Sequence, residues 1–505
     1  MEYLPPSKKY TAQKVLQMIR ENDSKKWAKL QEENMLGLFH AAAERIPAYK
    51  DFLHKHRIDP SHITTPAHFK EVPVTNKNNY LRTYPLASLC WDGTLEKPLV
   101  YAATSGSTGK PFYFPHDNEL DWQYSVLAEL FLENGMREGR EGPTLVLITF
   151  GMGVWIGGLF TYQAFQLASL RGKNISILTP GLNKGEILHA LRDLAPNYKQ
   201  TIVIGYPPFV KDVLDEAMLS GISLREHNIR MLFAAEGFNE KFRDHLMRMT
   251  GTENPYLDTL NIYGTADIGA MAYETPTSIF LRRQALEDEK LFFSLFGPIE
   301  KTPTLAQYNP LFTNFEAHNG EILLTGYNTL PLIRYEVGDQ GGVMTFDEAQ
   351  NVSVLHGNEL STKLEEANVP LYRLPFVYVY ERADFSTKLY GAIMYPEHIR
   401  EALQEDVLLM DITGKFTMHT RIDENQDQFL ELNVELRQNG EASPELVKTI
   451  QEITKANLLL KNSEYRNNYA SMGDKVVPQV VFWPHGDEKY FKATIKQKWV
   501  VKDSN

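Results

Sequence analysis

The chain has 505 residues and carries 64 acidic against 52 basic side chains, a formal net charge of −12. That length calls for two or more folding units, and that charge argues against a nucleic-acid partner, which wants a basic face. A single cysteine, Cys90, excludes an internal disulfide framework and any cysteine-cluster zinc site, and fits a reducing cytoplasm.

The amino terminus lacks the apolar core of a signal peptide. Residues 1–95 read as helical, chiefly 25–46, where Trp27, Leu30, Leu36 and Phe39 recur at helical spacing. A strand-like run at 98–101 leads into Thr104-Ser105-Gly106-Ser107-Thr108-Gly109-Lys110-Pro111, and 112–114 is strand-like again. Hydroxyls, two glycines and a lysine in one short loop offer N–H donors, O–H groups and a cation, which is what a polyphosphate needs. It is not a Walker A loop, because the glycine spacing differs and Pro111 follows Lys110. An amphipathic helix follows over 118–136. No charged residue occurs from Gly142 to Leu170, a length that would span a bilayer. Gly151, Gly153, Gly157 and Gly158 divide it into a buried strand (144–148), a turn and a buried helix (154–170), so no membrane partner is expected.

Strands at 175–178, 201–204, 230–233 and 257–262 then alternate with helices at 184–194, 208–219 and 239–249. This pattern calls for parallel strands with crossover helices on both faces. In such sheets ligands sit at the carboxyl ends of strands. The segments just after strands, namely Gly205 to Pro208, Ala234-Ala235-Glu236-Gly237 and Tyr263-Gly264-Thr265-Ala266-Asp267, should therefore line one cleft. From 321 the chain turns β-rich, with strands at 321–325, 332–335 and 342–346. Beyond 381 come a helix at 396–403, strands at 415–422 and 429–436, a helix opened by Ser443 as N-cap with Pro444 at N1, and a strand at 479–483.

Four segments in this order resemble the adenylate-forming superfamily of acyl- and aryl-CoA ligases, in its phenylacetate–CoA ligase-like branch. They are the loop at 104–111; Tyr263 to Asp267; Pro331 to Asp339; and Arg382-Ala383-Asp384 with Gly391, Pro396 and Ile399. Residues 46–52 and 72–77 also look like the opening of that branch. The resemblance implies an α/β fold: a large N-terminal domain of mixed and parallel sheets with flanking helices (1–380), and a small mobile α+β lid (381–505).

It implies ATP, Mg²⁺ and, as co-substrate, CoA. The partners would be a small carboxylic acid, ATP and CoA, in a cytoplasmic enzyme for which a homodimer is admitted. Thr104, Ser105, Gly106, Ser107, Thr108, Gly109 and Lys110 would grip the departing phosphates. Asp267 would hold Mg²⁺ in place of the family's glutamate, and Ala266 replaces a hydroxyl-bearing residue, for which Thr265 is a substitute. Tyr263, beside Gly264, would stack on adenine; Asp339 and Arg382 would hold the ribose; Glu236 would sit at the nucleotide or acid pocket. Asp384 would be the hinge, flanked by Glu381 and Phe385 where the family has glycine and an acidic residue. The catalytic lysine would be Lys496, with Lys498 and Lys492 behind it. Phe150, Trp155, Tyr206, Pro207 and Phe209 would wall the acid pocket. The expected activity is an acid–thiol ligase forming an acyl-adenylate and then a thioester. An adenylating ligase with an amine, hydroxyl or carrier-protein acceptor stays open, as does a nucleotide-binding pseudo-enzyme serving as scaffold or regulator. His116 and His245 are expected at the surface or as caps, and no histidine pair reads as a zinc motif.

Overall fold

A computed structural model describes residues 3–103, 111–153, 156–297, 302–380, 386–403, 405–408, 410–438, 440–487 and 489–491. The strands number β1 (Val100–Ala103), β2 (Tyr113–His116), β3 (Thr144–Ile148), β4 (Ile175–Leu178), β5 (Gln200–Gly205), β6 (Ile229–Ala234), β7 (Thr259–Thr265), β8 (Gly269–Tyr273), β9 (Thr304–Gln307), β10 (Thr313–His318), β11 (Glu321–Gly326), β12 (Leu332–Met344) and β13 (Phe376–Val379). After these come β14 (Thr387–Leu389), β15 (Ala392–Met394), β16 (Ile412–Ile422), β17 (Gln428–Leu436) and β18 (Gln479–Trp483).

Eleven strands form one sheet in the order β10-β11-β12-β13-β9-β8-β7-β6-β5-β3-β4. From β4 to β7 every pairing is parallel, and from β7 outward every pairing is antiparallel. The parallel part explains its own composition. All residues of β3 and β5 are buried, because helices cover both faces, and such strands read as continuous apolar runs. The crossover helix Pro207–Leu219 opens with proline in its first turn, and Glu240–Thr250 is capped by Asn239 and stopped by the left-handed Gly251. The uncharged stretch resolves into β3 and a helix, Ile156–Leu170. Among the described residues no helix is long and apolar enough to cross a membrane.

The fold is mixed α/β, as expected, with a large sheet and flanking helices followed by a smaller unit. The smaller unit has a core of its own, built on Leu389, Ile399, Phe416, Leu432, Ile450 and Tyr465, among others. In it β17 pairs with β16 antiparallel and with β18 in parallel. The helix Pro444–Lys461 begins where read, with the Ser443 hydroxyl accepting from the Leu446 N–H.

Three local readings need correction. The strands expected at 332–335 and 342–346 are one, β12, and Phe346 instead opens a helix, Phe346–Leu355, capped by a Thr345/Glu348 capping box. Residues 257–258 belong to a helical turn, Pro255–Asp258, fixed by the Asn254 side chain, so β7 starts later and runs through Thr265. His116 is neither at the surface nor a cap: it is 4% exposed and shares a hydrogen bond with the Asn328 amide.

Candidate functional site

The carboxyl ends of β5, β6 and β7 lie side by side, so residues from 205, 234 and 265 onward face one edge of the sheet. Tyr263, Gly264 and Thr265 are not in a loop after the strand, as the sequence suggests, but ride the last residues of β7. The pairing with β8 shifts register between Tyr263 and Gly264. A side chain at 264 would place its Cβ 2.6 Å from the Gly269 carbonyl oxygen, so glycine is required there.

Two acidic side chains meet this edge. Asp339, on β12 just after the left-handed Gly338, accepts the Tyr263 hydroxyl at 2.6 Å. Asp267 is 4% exposed. Its Oδ2 accepts the Tyr335 hydroxyl at 2.7 Å and lies 3.5 Å from Lys77 Nζ. Its backbone is tied down as well, with its N–H donating to Thr265 Oγ1 at 3.3 Å and its carbonyl accepting from Asn328 Nδ2 at 3.2 Å. Asn328 in turn meets His116, whose imidazole burial pushes down to about 4, against the pull of its bond to Asn328.

Lys77 arrives by an unusual route. Thr75 forms a parallel bridge to Tyr335, with its N–H donating to the Arg334 carbonyl at 3.0 Å and its carbonyl accepting from Glu336 at 2.8 Å. Arg334 has φ 44° and sends its guanidinium back to the Lys70 and Val72 carbonyls and to Glu316. A positive φ in a non-glycine residue is costly; here it turns the arginine to clasp the segment that delivers Lys77.

The loop after β6 carries Ala235, at φ 75°, and Glu236, which is 6% exposed. Glu236 Oε1 accepts the Gly391 N–H and Oε2 accepts Gln428 Nε2 at 2.8 Å, both from the smaller unit, while its own carbonyl accepts Asn261 Nδ2 at 3.0 Å. Tyr206, half-buried, caps the helix that Pro207 begins and sets its ring edge-on to Phe150, with centroids 4.9 Å apart. Phe150 and Phe209 are each 1% exposed, and they belong to two different core clusters. Thus Tyr263 on β7, Asp267 in the turn after it and Asp339 on β12 come to one edge, whereas Glu236 and Tyr206 meet the smaller unit and Phe150 packs in the core behind Tyr206. Thr104 through Lys110, Trp155, Glu381, Arg382, Asp384, Phe385, Lys492, Lys496 and Lys498 lie outside the described residues.

Lys77, Tyr335, Asn328 and Gln428 carry no assignment from the sequence. Tyr335 stands inside the 331–339 segment and Lys77 inside the 72–77 segment, so both sat in recognised motifs. Only the bridge between Thr75 and Tyr335 reveals what the two share.

No family model matches the chain. Phenylacetate–coenzyme A ligase of Thermus thermophilus is 23% identical over 241 residues, 47% of this chain and 50% of that protein; the chain thus matches about half the relative's length. A solved structure of 2-hydroxyisobutyryl-CoA ligase, in complex with 2-HIB-AMP and CoA in the thioesterification state, superposes with a TM-score of 0.64. Its identity is 16%, over 99% of this chain and 94% of that one. An open conformation of that ligase, also with 2-HIB-AMP and CoA, gives 0.53 at 14% identity over 99% and 96% of the two chains. The resemblance to the phenylacetate–CoA ligase-like branch is borne out by the match to the Thermus thermophilus relative, and the fold is that of the solved CoA ligase.

Proposed function

We propose that this chain activates a small carboxylic acid with ATP and passes the acyl group to a thiol, most simply that of CoA. A carboxylate oxygen attacks the α-phosphorus, the bond to the bridging oxygen breaks, and pyrophosphate leaves. The thiol, giving up its proton, then attacks the acyl carbon and AMP departs. The observation that carries this reading is the convergence of Tyr263, Asp267 and Asp339 at one sheet edge. Each comes from a segment that resembles a ligase motif, and the fold around them is a CoA ligase's.

In this reading Asp339 receives the ribose hydroxyls in place of the Tyr263 hydroxyl, and Arg382 joins it. The loop from Thr104 to Lys110 holds the leaving phosphates through charge-assisted bonds. Asp267 suits Mg²⁺, a hard cation that takes one carboxylate and completes its shell with substrate phosphates and water. Tyr335 and Lys77 both engage Oδ2, so the ion would bind through the other oxygen or displace Lys77. Mg²⁺ there would neutralise charge on the phosphates during attack. Lys496 is the preferred cation for the charge that moves onto the α-phosphate.

The chain divides near residue 381, between β13 and β14, with Asp384 as the hinge of a mobile lid. Ala266 itself has no hydroxyl to offer the α-phosphate, and this favours one competing reading, a nucleotide-binding scaffold without turnover. The lone cysteine, which is buried, fits a reducing cytoplasmic setting. ATP–pyrophosphate exchange across a panel of acids tests the proposal. Acid-dependent exchange supports it, and exchange absent with every acid favours the scaffold. Formation of a CoA thioester then separates a thiol acceptor from an amine or hydroxyl.

A further inference from the structure

The smaller unit meets the large one at two polar places whose construction fits a releasable dock. The first is the loop after β6. Glu236 receives Gly391 N–H on one oxygen and Gln428 Nε2 on the other, and Lys388 Nζ donates to the carbonyl of Ala235. Gln428 is held in place by accepting the Tyr390 N–H at 2.9 Å. Gly391 has φ +82°, and a Cβ there would lie 2.8 Å from the Tyr206 ring, so only glycine lets the two surfaces close.

The second is the helix Pro207–Leu219. Its Lys211 is 1% exposed, and Nζ lies 2.7 Å from Asp215 on the same helix and 2.8 Å from Asp427 on the turn before β17. Lys475 Nζ bonds Asp212 and lies 3.0 Å from Asp427. Lys184 Nζ completes the set, 3.6 Å from Asp212. Carboxylate oxygens of Asp212, Asp215 and Asp427 come within 4.8 Å of one another, a spacing that would interest a cation. Three ammonium groups already serve it.

The division of charge is the informative point. Asp427 and Lys475 belong to the smaller unit and cancel; on the large one Lys184 and Lys211 face Asp212, Asp215 and the more exposed Glu216, 3.7 Å from Lys184. When the units part, Lys475 keeps Asp427, Lys211 keeps Asp215 and Lys184 keeps Asp212. Each ion of this cluster therefore keeps an oppositely charged neighbour on its own side, so parting the units here carries little of the penalty of breaking a buried pair.

We infer that Glu236 and the Lys211–Asp212 pair form the receptor for the lid in its thioester-forming setting, as positioning residues for the second step. The inference rests on the ligase reading. It is consistent with the better superposition on the relative's thioesterification-state structure, 0.64, than on its open one, 0.53.

Lys475→Glu sets an extra carboxylate against Asp212 and Asp427, and Lys475→Arg keeps the charge. Two spin labels, at exposed Leu219 and Met410 in a Cys90→Ser background, read the lid position with no turnover required. In Lys475→Glu the docked distance should lose population, and thioester formation from a supplied acyl-adenylate should slow about tenfold. Exchange should stay within about twofold of wild type, since the lid leaves this dock for adenylation. Lys475→Arg should match wild type in every readout. An unchanged distance distribution in Lys475→Glu, or equal loss in both half-reactions, overturns the inference. If wild type shows no exchange with any acid the ligase reading falls instead, and the label distances still decide whether this dock holds the lid.

Discussion

Replacing Asp267 by asparagine takes one negative charge from a side chain that is 4% exposed and held on two sides. The cost to the fold can be worked out. Lys77 Nζ lies 3.5 Å from Oδ2, and at an effective dielectric of about 20 that pair attracts by about 5 kcal/mol. The lysine side chain is 30% exposed, so water screens most of this and about 1 kcal/mol is left. The amide oxygen of asparagine still accepts the Tyr335 hydroxyl. Asp267→Asn should therefore fold and melt within a few degrees of wild type. Its effect on Mg²⁺ should be larger, because an amide is a poorer ligand for a hard cation than a carboxylate. The Mg²⁺ concentration that half-saturates ATP–pyrophosphate exchange should rise by about 10–100-fold, about 1.4–2.8 kcal/mol. Exchange titrated with Mg²⁺ at fixed ATP, beside a melting curve, reads both quantities. An unchanged Mg²⁺ dependence in a folded variant would refute the reasoning and leave Asp267 a hub for Tyr335 and Lys77 only.

Lys496→Ala should slow adenylation by roughly two to three orders of magnitude while sparing thioester formation from supplied adenylate. Asp384→Pro, which fixes φ and removes a donor at the hinge, should do the reverse; like losses in both steps, in both variants, would contradict the assignment. Glu274 is fully buried between Arg243, at 2.7 Å, and Arg282, at 3.2 Å. Glu274→Gln leaves those arginines short of a charge and should cost about 3–5 kcal/mol in urea unfolding, and a loss below about 1 kcal/mol would show the cluster is screened. His116 titrates near 4 in the folded protein, well below its ordinary value, because burial disfavours the cation. With a depressed folded pKa, its contribution is complete above about 6.5 and is lost as the pH falls toward about 4, a change of about 3 kcal/mol. Wild type should lose that much relative to His116→Gln between those pH values, and a pH-independent difference would contradict it.

The parts of this protein that the sequence exposed are those with strong local signals. Short runs of β-branched and apolar residues such as 144–148 and 201–204 read as strands buried on both faces, and Asn239, Ser443 and Gly251 mark helix ends by their own chemistry. The 345–348 capping box is equally local, but the apolar alternation beyond Gly342 reads as continued strand and outweighs it. The candidate site was legible only as separate segments. Nothing in the spacing of Lys77 and Asp267, or of Glu236 and Gln428, announces that they meet. Those contacts depend on a single bridge from Thr75 to β12 and on how a second folding unit sits against the first. The same holds for His116, whose buried imidazole meets Asn328, far along the chain.

The central claim, that a carboxylate attacks the α-phosphorus of ATP, is tested most directly by following oxygen. An accepted acid carrying ¹⁸O in both carboxyl positions is turned over with ATP and CoA, and the AMP is weighed by mass spectrometry. AMP should bear one ¹⁸O, because the attacking oxygen stays on the phosphorus when the thiol takes the acyl group. Unlabelled AMP, or label in inorganic phosphate formed beside ADP, would contradict it.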